Sequence, residues 1–233
     1  MALILHIETA TNICSVALSD DEKLLALRET SRTNSHSEKI TVFVQEVLAE
    51  SKTEIKDIDA VNVSMGPGSY TGLRIGVSVA KGLCYALDKP LISTGTLTAM
   101  AYGAMQQCPD MDNSTLLCPM LDARRMEVYY ALFKKNMHEI LPPCAKIMDE
   151  HSFSDVLKDH RLLLFGDGMD KCKTLFEKNQ DIDFLCDFVP SAKHMIIPAL
   201  QKFHDHIFEN IAYFEPFYLK DFIAGKPNVK GLK

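Results

Sequence analysis

The stretch of sequence that decides the fold reads SMGPGSYTGLRIGVSVAKGL and occupies residues 64–83. It joins an apolar strand pattern at residues 58–63 to a helix through a Gly-Pro-Gly turn. Gly72, Gly76 and Gly82 lie within the predicted helix, where each costs about 1 kcal/mol relative to alanine. Because helix propensity alone would not select these glycines, we expect another backbone or another molecule to pack against this helix surface.

Gly72, Gly76 and Ala80 are spaced four residues apart, so they form one stripe of small residues along a single helix face. Two interpretations stay open: the stripe packs on the chain's own sheet, or it contacts a second protein. The turn before the helix allows a third, a phosphate cradle, since helix N-termini attract anions. The P-loop pattern would require a lysine that is missing here, and a turn capped by Ser69 or Thr71 is the alternative.

The first third of the chain is predicted to fold in the order βββαβαβ. Apolar stretches at residues 2–8, 12–19 and 23–29 indicate the first three strands. Ser35 and Glu38 match the capping box that begins a helix. An apolar stripe with helical spacing follows it, formed by Ile40, Phe43, Val44, Val47 and Leu48. Residues 58–64, 71–87 and 90–94 supply the next strand, helix and strand.

A polar segment at residues 108–113 follows a predicted helix at 95–107 and indicates a boundary. We therefore predict an N-terminal lobe at residues 1–107 and a smaller C-terminal lobe at 108–233. The smaller lobe is predicted to contain strands at 116–122, 127–133 and 162–165 and a final helix at 193–207. Its last ~20 residues either pack back on the first lobe or form a flexible terminus.

The C-terminal tail is locally basic. From residue 216 onward it carries four lysines and one aspartate; the lysines are Lys220, Lys226, Lys230 and Lys233. Two roles stay open for this tail: a solvated terminus, or a docking or RNA-facing segment.

Composition restricts the class of protein. The 233 residues are 47% hydrophobic and 24% charged, as in an ordinary soluble domain, and no apolar run is long enough to predict a transmembrane helix. Seven cysteines without a CxxC pair favour reduced thiols in a cytoplasmic protein. The formal net charge of -6 argues against independent tRNA binding, which requires a positive surface.

Three blocks of sequence carry a family resemblance. They are GPGSYTGLRIGVSVAKGL at 66–83, LHIETAT at 5–11 followed by CSVAL at 14–18, and DARRMEVY at 122–129, with HSE at 36–38 as a shorter match. In these residues the chain resembles the TsaB family, accessory subunits of the bacterial threonylcarbamoyladenosine tRNA-modification machinery. The resemblance implies an α/β protein with an actin-like ATPase (ribonuclease H-like) fold. Its two lobes would contain mixed sheets flanked by helices, with the second lobe reduced.

In the actin-like superfamily, an aspartate and small residues in the first hairpin hold a metal–phosphate complex. Here Glu8 takes the acidic position, but no glycine follows it to let the backbone fold around a phosphate. We therefore expect Glu8 to be a satisfied carboxylate at the surface or in an interface. The candidates for cofactor binding are Glu8, Thr9, Gly66 and Gly68. We expect no cofactor in this chain, with ATP and metal held by partner subunits.

Catalytic motifs are also missing from the sequence. The resemblance implies a catalytic relative, TsaD, that binds a metal through an HxxxH pair, in which both imidazoles share a helix face. No two of the eight histidines here are four residues apart. Neither HExxH nor GxSxG occurs, so the sequence gives no support for a peptidase. We expect no catalytic and no metal-binding residue in this chain.

The resemblance implies a non-catalytic subunit that binds and activates a TsaD-like catalytic subunit, joined by a TsaE-like ATPase. That assembly transfers a threonylcarbamoyl group to N6 of the adenosine next to the anticodon in tRNAs that read codons beginning with A. This chain would reach tRNA only through the complex, would bind no membrane, and would form a homodimer when alone.

The partner interface is predicted on the first two long helices. Its candidate residues are Ile40, Phe43, Val44, Val47, Gly72, Arg74, Ile75, Gly76, Val79, Ala80 and Leu83. The alternative functions are an actin-like ATPase or kinase that uses Glu8 and the 66–68 loop, and a glycoprotease-type peptidase.

Overall fold

Two five-stranded mixed sheets form the framework of the protein. The computed structural model describes residues 1–31 and 36–220, and this part of the chain contains ten strands and five α-helices. The elements of the first half are β1 (Leu3–Glu8), β2 (Cys14–Asp20), β3 (Lys23–Thr30), α1 (His36–Ser51), β4 (Ala60–Gly66), α2 (Tyr70–Leu87), β5 (Leu91–Gly95) and α3 (Thr96–Gln107). Those of the second half are β6 (Thr115–Asp122), β7 (Glu127–Phe133), β8 (Glu139–Ile147), β9 (Arg161–Phe165), α4 (Asp167–Phe176), β10 (Ile182–Leu185) and α5 (Ile196–His204).

The two sheets have the same topology. In the first, β1 pairs antiparallel with β2 and parallel with β4, giving the order β3-β2-β1-β4-β5. In the second, β6 takes the place of β1, and the order is β10-β9-β6-β7-β8. The predicted α/β architecture of two helix-flanked mixed sheets is confirmed. The second lobe is reduced in its helices and not in its sheet, since the turn Val156–Lys158 stands where the first lobe has α1.

Helices cover both faces of the first sheet. α1 and α2 pack on one face, where Ile40 and Val47 meet Val77 and Ala80 in one buried core. α5 packs on the other face, against residues such as Ile92. The helix α3, placed in the first lobe from sequence, shares a core with β6 and β7 of the second sheet. Helix α3 therefore links the two lobes.

The strands and helices predicted in the first half are confirmed, with ends that differ by a few residues. Ser35 of the predicted capping box lies outside the described residues, and so do Lys226, Lys230 and Lys233 of the basic tail. Three elements of the second lobe, β8, α4 and β10, were not predicted. The division at residues 107 and 108 stays a prediction.

A row of buried polar side chains crosses the first sheet. The Asn62 side chain lies 3.1 Å from Nδ1 of His6, whose Nε2 lies 2.9 Å from the Ser19 hydroxyl. The Thr94 hydroxyl donates to Oδ1 of Asn62 at 2.9 Å. Burial lowers the pKa of His6 to about 3, so its imidazole is neutral and serves this network. Paired in this way, the polar groups are accommodated inside the sheet.

Candidate functional site

A cleft of about 530 Å³ lies between the two lobes. One wall is formed by the turn after β1 and the Gly-Pro-Gly loop, and the other by the β6–β7 turn and the start of α4. This is the position at which the ends of β1 and β6 face each other. A cofactor in this fold would bind in the cleft, so the positions of Glu8, Thr9, Gly66 and Gly68 relative to it matter.

Glu8, the last residue of β1, is buried and not at the surface. Only 1% of the residue is exposed, and it does not line the cleft. Its Oε1 accepts a hydrogen bond from the Ala10 backbone N–H at 2.6 Å. Burial raises the pKa of Glu8 to about 7, although the hydrogen bonds from Ala10 and Ser64 act in the opposite direction. The expectation of a surface or interfacial carboxylate was wrong because the carboxylate turns inward to bind its own backbone.

The Gly-Pro-Gly loop packs against the turn that follows β1. The Ser69 backbone N–H donates to the Ala10 carbonyl at 2.6 Å, and a Cβ on Gly68 would lie 2.3 Å from that same oxygen. The Ser69 hydroxyl accepts from the Gly72 N–H at 3.2 Å and so caps α2. The loop is thus fixed to the first hairpin by backbone contacts, and Pro67, Gly68 and Ser69 also line the cleft.

The stripe of small residues on α2 also faces this turn. A Cβ on Gly72 would lie 2.1 Å from the Thr9 carbonyl oxygen, and one on Gly76 would lie 2.2 Å from the Thr9 hydroxyl oxygen. Ala80 is fully buried further along the same face. Of the two interpretations left open, packing within the chain is the one observed. Placing Gly72, Gly76 and Ala80 in a partner interface was therefore wrong.

The second lobe repeats this arrangement at the other wall of the cleft. Asp122 ends β6 as Glu8 ends β1, and it accepts from the N–H two residues later, that of Arg124, at 2.7 Å. A Cβ on Gly168 would lie 2.7–2.9 Å from backbone atoms of Leu121. Although burial raises the pKa of Asp122, hydrogen bonds from Lys171 and Arg124 hold it below its usual value. The Lys171 ammonium and the Arg124 guanidinium thus both place positive charge near this carboxylate, and Lys171 also hydrogen-bonds to it.

A second concavity, of about 550 Å³, is a groove between the N-terminal halves of α1 and α2. Ile40, Ile75 and Val79 supply its apolar surface, with polar side chains at its rim; the polar residues are Ser37, Thr41, Tyr70, Thr71, Arg74 and Ser78. The Arg74 guanidinium donates to the Tyr70 hydroxyl at 2.7 Å. We call this surface the α1–α2 groove.

The predicted interface residues divide between this groove and the core. Arg74 is exposed, and Ile75, Val79 and Leu83 are half-buried on the open side of α2. Ile40 reaches the groove floor but is only 1% exposed. Three others belong to the core of the first lobe, so their assignment to an interface was wrong; they are Phe43, Val44 and Val47.

Sequence reasoning assigned Arg74 to the interface but missed the rest of the polar rim of the groove. Its members on α2, Thr71, Arg74 and Ser78, recur at helical spacing opposite the buried glycines. That spacing was a usable signal. Within the described residues, no group of three or more His, Cys, Asp and Glu side chains could hold a metal ion. No helix in the same part of the chain is long and apolar enough to cross a membrane.

Two lobes of matching topology around a cleft define an actin-like protein. The solved structure described as an activator of 2-hydroxyisocaproyl-CoA dehydratase from Clostridium difficile shares this fold, with a TM-score of 0.52 and 8% identity; the match covers 87% of this chain and 95% of that one. Much more similar is YeaZ from Pseudomonas aeruginosa, with a TM-score of 0.81 and 20% identity over 94% of this chain and 100% of that one.

Sequence comparison identifies the family. The model of the family described as TsaD: tRNA N6-adenosine threonylcarbamoyltransferase matches residues 24–227. The tRNA threonylcarbamoyladenosine biosynthesis protein TsaB of Escherichia coli is 32% identical over 232 residues, 96% of each chain. Its counterpart in Buchnera aphidicola subsp. Schizaphis graminum is 28% identical and covers 85% of this chain and 92% of its own length. The chain belongs to the TsaB/YeaZ family, as its sequence motifs predicted.

Proposed function

We propose that this chain is a non-catalytic subunit in tRNA threonylcarbamoyladenosine biosynthesis. It binds a TsaD-like catalytic subunit through the α1–α2 groove and activates it for threonylcarbamoyl transfer to N6 of the adenosine next to the anticodon. A TsaE-like ATPase joins the assembly, and ATP and metal are held by these partners. The chain contacts tRNA only within the complex and works in the cytoplasm.

The observation that carries this proposal is the α1–α2 groove. Its floor combines Ile40 with the half-buried Ile75 and Val79, and Arg74 stands exposed beside them. An apolar centre with a polar rim and an arginine is typical of a protein-binding surface. Both helices are anchored to the sheet by their buried faces, so the groove is presented on a rigid support. In the absence of the catalytic subunit, the same groove would pair two copies of the chain.

The geometry of the cleft supports a non-catalytic role. The Glu8 carboxylate is hydrogen-bonded to its own backbone, and the 66–68 loop is packed on Ala10. At the other wall, Asp122 is paired with Lys171. Both acidic positions are thus engaged by groups of the chain itself.

Replacing Ser78 with arginine tests the groove without touching the core. Ser78 is exposed and lines the groove, so a bulky charged side chain there would block docking while the buried face of α2 stays unchanged. We expect Ser78→Arg to weaken binding of the TsaD-like subunit at least ~10-fold, about 1.4 kcal/mol, because a bulky side chain at the rim would keep the partner from reaching the apolar floor. The measurement is calorimetric titration of the purified subunits, with circular dichroism to confirm folding.

Ser154→Arg is the matched control, because Ser154 is exposed in the second lobe, far from the groove in the fold. It should bind the catalytic subunit like the wild-type chain. If Ser78→Arg binds equally well, the groove is not the interface. In cells, depletion of the chain should lower tRNA threonylcarbamoyladenosine measured by nucleoside mass spectrometry, and an unchanged level would contradict the proposed pathway. Micromolar, magnesium-dependent ATP binding by the isolated chain would favour the ATPase alternative.

A further inference from the structure

After α5 the chain returns along the first sheet and reaches the cleft. The Glu209 N–H donates to the Leu91 carbonyl at 2.8 Å, and Phe214 is buried in the core under α2. The Lys81 ammonium of α2 donates to the carbonyls of Ala212 at 3.2 Å and Phe214 at 3.1 Å. We call the segment from Phe214 to Lys220 the C-terminal strap. Its first residues are thus fixed to the first lobe.

The strap then crosses the end of β4. The Phe217 N–H donates to the Met65 carbonyl at 2.7 Å, continuing the hydrogen bonding of the strand end. Gly66 adopts a φ of +111°, and a Cβ there would lie 2.6 Å from the Phe217 carbonyl oxygen. A glycine at this position therefore permits both the strained backbone and the close approach of the strap.

Beyond this point the strap touches both α2 and the second lobe. The rings of Tyr218 and Tyr70 lie 4.9 Å apart between centroids, at an interplanar angle of 36°. The Lys220 ammonium pairs with the Glu127 carboxylate of β7. The strap thus extends from the core of the first lobe, past the first turn of α2, to the second lobe.

Tyr70 connects this strap to the α1–α2 groove. Tyr70 and Thr71 line both the cleft and the groove. On one side the Tyr70 ring meets Tyr218; on the other its hydroxyl accepts from Arg74, whose guanidinium lies 5.3 Å from the ring centroid. Loss of Tyr218 would remove the ring that packs on Tyr70 from the cleft side, while the groove surface itself would keep every side chain.

We propose that Tyr218 is a positioning residue, which holds Tyr70 and through it Arg74 in the geometry that the α1–α2 groove presents to its protein partner. This inference rests on the proposed function, because the partner is the TsaD-like subunit. It adds a determinant of partner binding that lies outside the groove, on a segment distant in sequence from α1 and α2. The same strap also reaches the second lobe, through the ion pair of Lys220 with Glu127.

The test compares three single variants of the full chain with wild type and adds a Tyr70→Ala background. In Tyr218→Ala, affinity for the TsaD-like subunit should fall about fivefold, which corresponds to the ~1 kcal/mol of an aromatic pair. Tyr218→Phe keeps the ring and should restore affinity to within about twofold. Tyr213→Ala removes a neighbouring tyrosine that is 83% exposed, and it should bind like wild type. In a Tyr70→Ala background, Tyr218→Ala should have no further effect.

Hydrogen exchange in the isolated chain gives a readout that needs no partner. Tyr218→Ala should accelerate exchange of the Gly72 and Leu73 amides in the first turn of α2, and Tyr218→Phe and Tyr213→Ala should not. Wild-type affinity in Tyr218→Ala would overturn the inference, as would an equal loss in Tyr218→Phe. If the wild-type chain binds no catalytic subunit, the proposed function fails. In that case hydrogen exchange alone tests whether Tyr218 positions Tyr70. Unchanged exchange of the Gly72 and Leu73 amides in Tyr218→Ala would overturn that inference.

Discussion

The close contact between α2 and the turn after β1 predicts that Gly72→Ala destabilises the fold. Gly72 lies in the first turn of α2 and faces the Thr9 carbonyl oxygen, which a new Cβ would approach to 2.1 Å. Ordinary van der Waals contact begins near 3.4 Å. The obstacle is backbone at the end of a buried strand, so it cannot rotate aside as a long side chain could. Relief would require α2 or the first hairpin to move.

Two opposing terms set the size of the effect. Alanine improves helix propensity by about 1 kcal/mol relative to glycine. Overpacking in a close-packed interior costs about 1–3 kcal/mol, and a clash with backbone belongs at the upper end of that range. We therefore expect Gly72→Ala to lower the free energy of unfolding by about 1–2 kcal/mol in net terms, which corresponds to a decrease in Tm of about 2–8 °C for a chain of this size.

Gly82→Ala is the matched control on the same helix. A Cβ on Gly82 would meet nothing within 4 Å, so only the propensity term applies. It should raise the free energy of unfolding by about 1 kcal/mol, which separates the two variants by about 2–3 kcal/mol. Urea denaturation followed by far-UV circular dichroism measures both. If Gly72→Ala is as stable as Gly82→Ala, the stripe does not pack on the first hairpin and the assignment of the glycines to the fold is wrong.

Two further predictions concern charged groups at the ends of β1 and β6. Because the pKa of Glu8 is raised to about 7, the folded state binds more protons than the unfolded state, and its stability should fall as the pH rises from about 4.5 to 7. Glu8→Gln has no titrating carboxyl at this position and should lack this pH dependence. Between pH 5 and pH 8, the free energy of unfolding of the wild type, measured by urea denaturation, should fall by up to roughly 3 kcal/mol more than that of the variant. An equal pH dependence of the two free energies would contradict the prediction. Lys171→Met should raise the pKa of Asp122, since it removes the ammonium at 2.5 Å, and NMR titration of the carboxyl carbons would detect it. An Asp122 pKa that stays low would show that Lys171 does not set it.

The first lobe could be predicted from sequence because its signals are local. Alternating or continuous apolar residues indicated each strand, and helical spacing indicated α1 and α2. The second lobe was harder to predict for reasons visible in its sequence. β8 contains Pro142 and Pro143 and lies at the sheet edge, where proline is tolerated. α4 begins with Asp167 and Gly168 and half of its ten residues are charged or polar, and β10 has only four residues.

The site shows a different limit of sequence reasoning. The spacing of Gly72 and Gly76 correctly indicated that another backbone comes close, but spacing does not identify that backbone. Gly72 faces the backbone carbonyl of Thr9 and Gly76 faces the side chain of the same residue, more than sixty residues earlier in the chain. The apolar stripe of α1 was equally ambiguous, since Val44 and Val47 could face a partner or a sheet. Only tertiary structure separates the buried side of each helix from the open side.

The repetition between the lobes explains why the glycine-rich segment first resembled a phosphate loop. Gly68 lies in the loop between β4 and α2, and Gly168 lies in the first turn of α4 after β9. A Cβ on either would meet backbone at or just after the end of the first strand in its sheet. The geometry needed for that approach requires glycine whether or not a phosphate is bound. The carboxylates of Glu8 and Asp122 each accept a hydrogen bond from the N–H two residues later. Better than the glycines do, these contacts distinguish a loop that binds phosphate from one that only packs. In this chain, the hydrogen-bond partners of Glu8 and Asp122 therefore say more about ligand binding than the glycine-rich loop motif does.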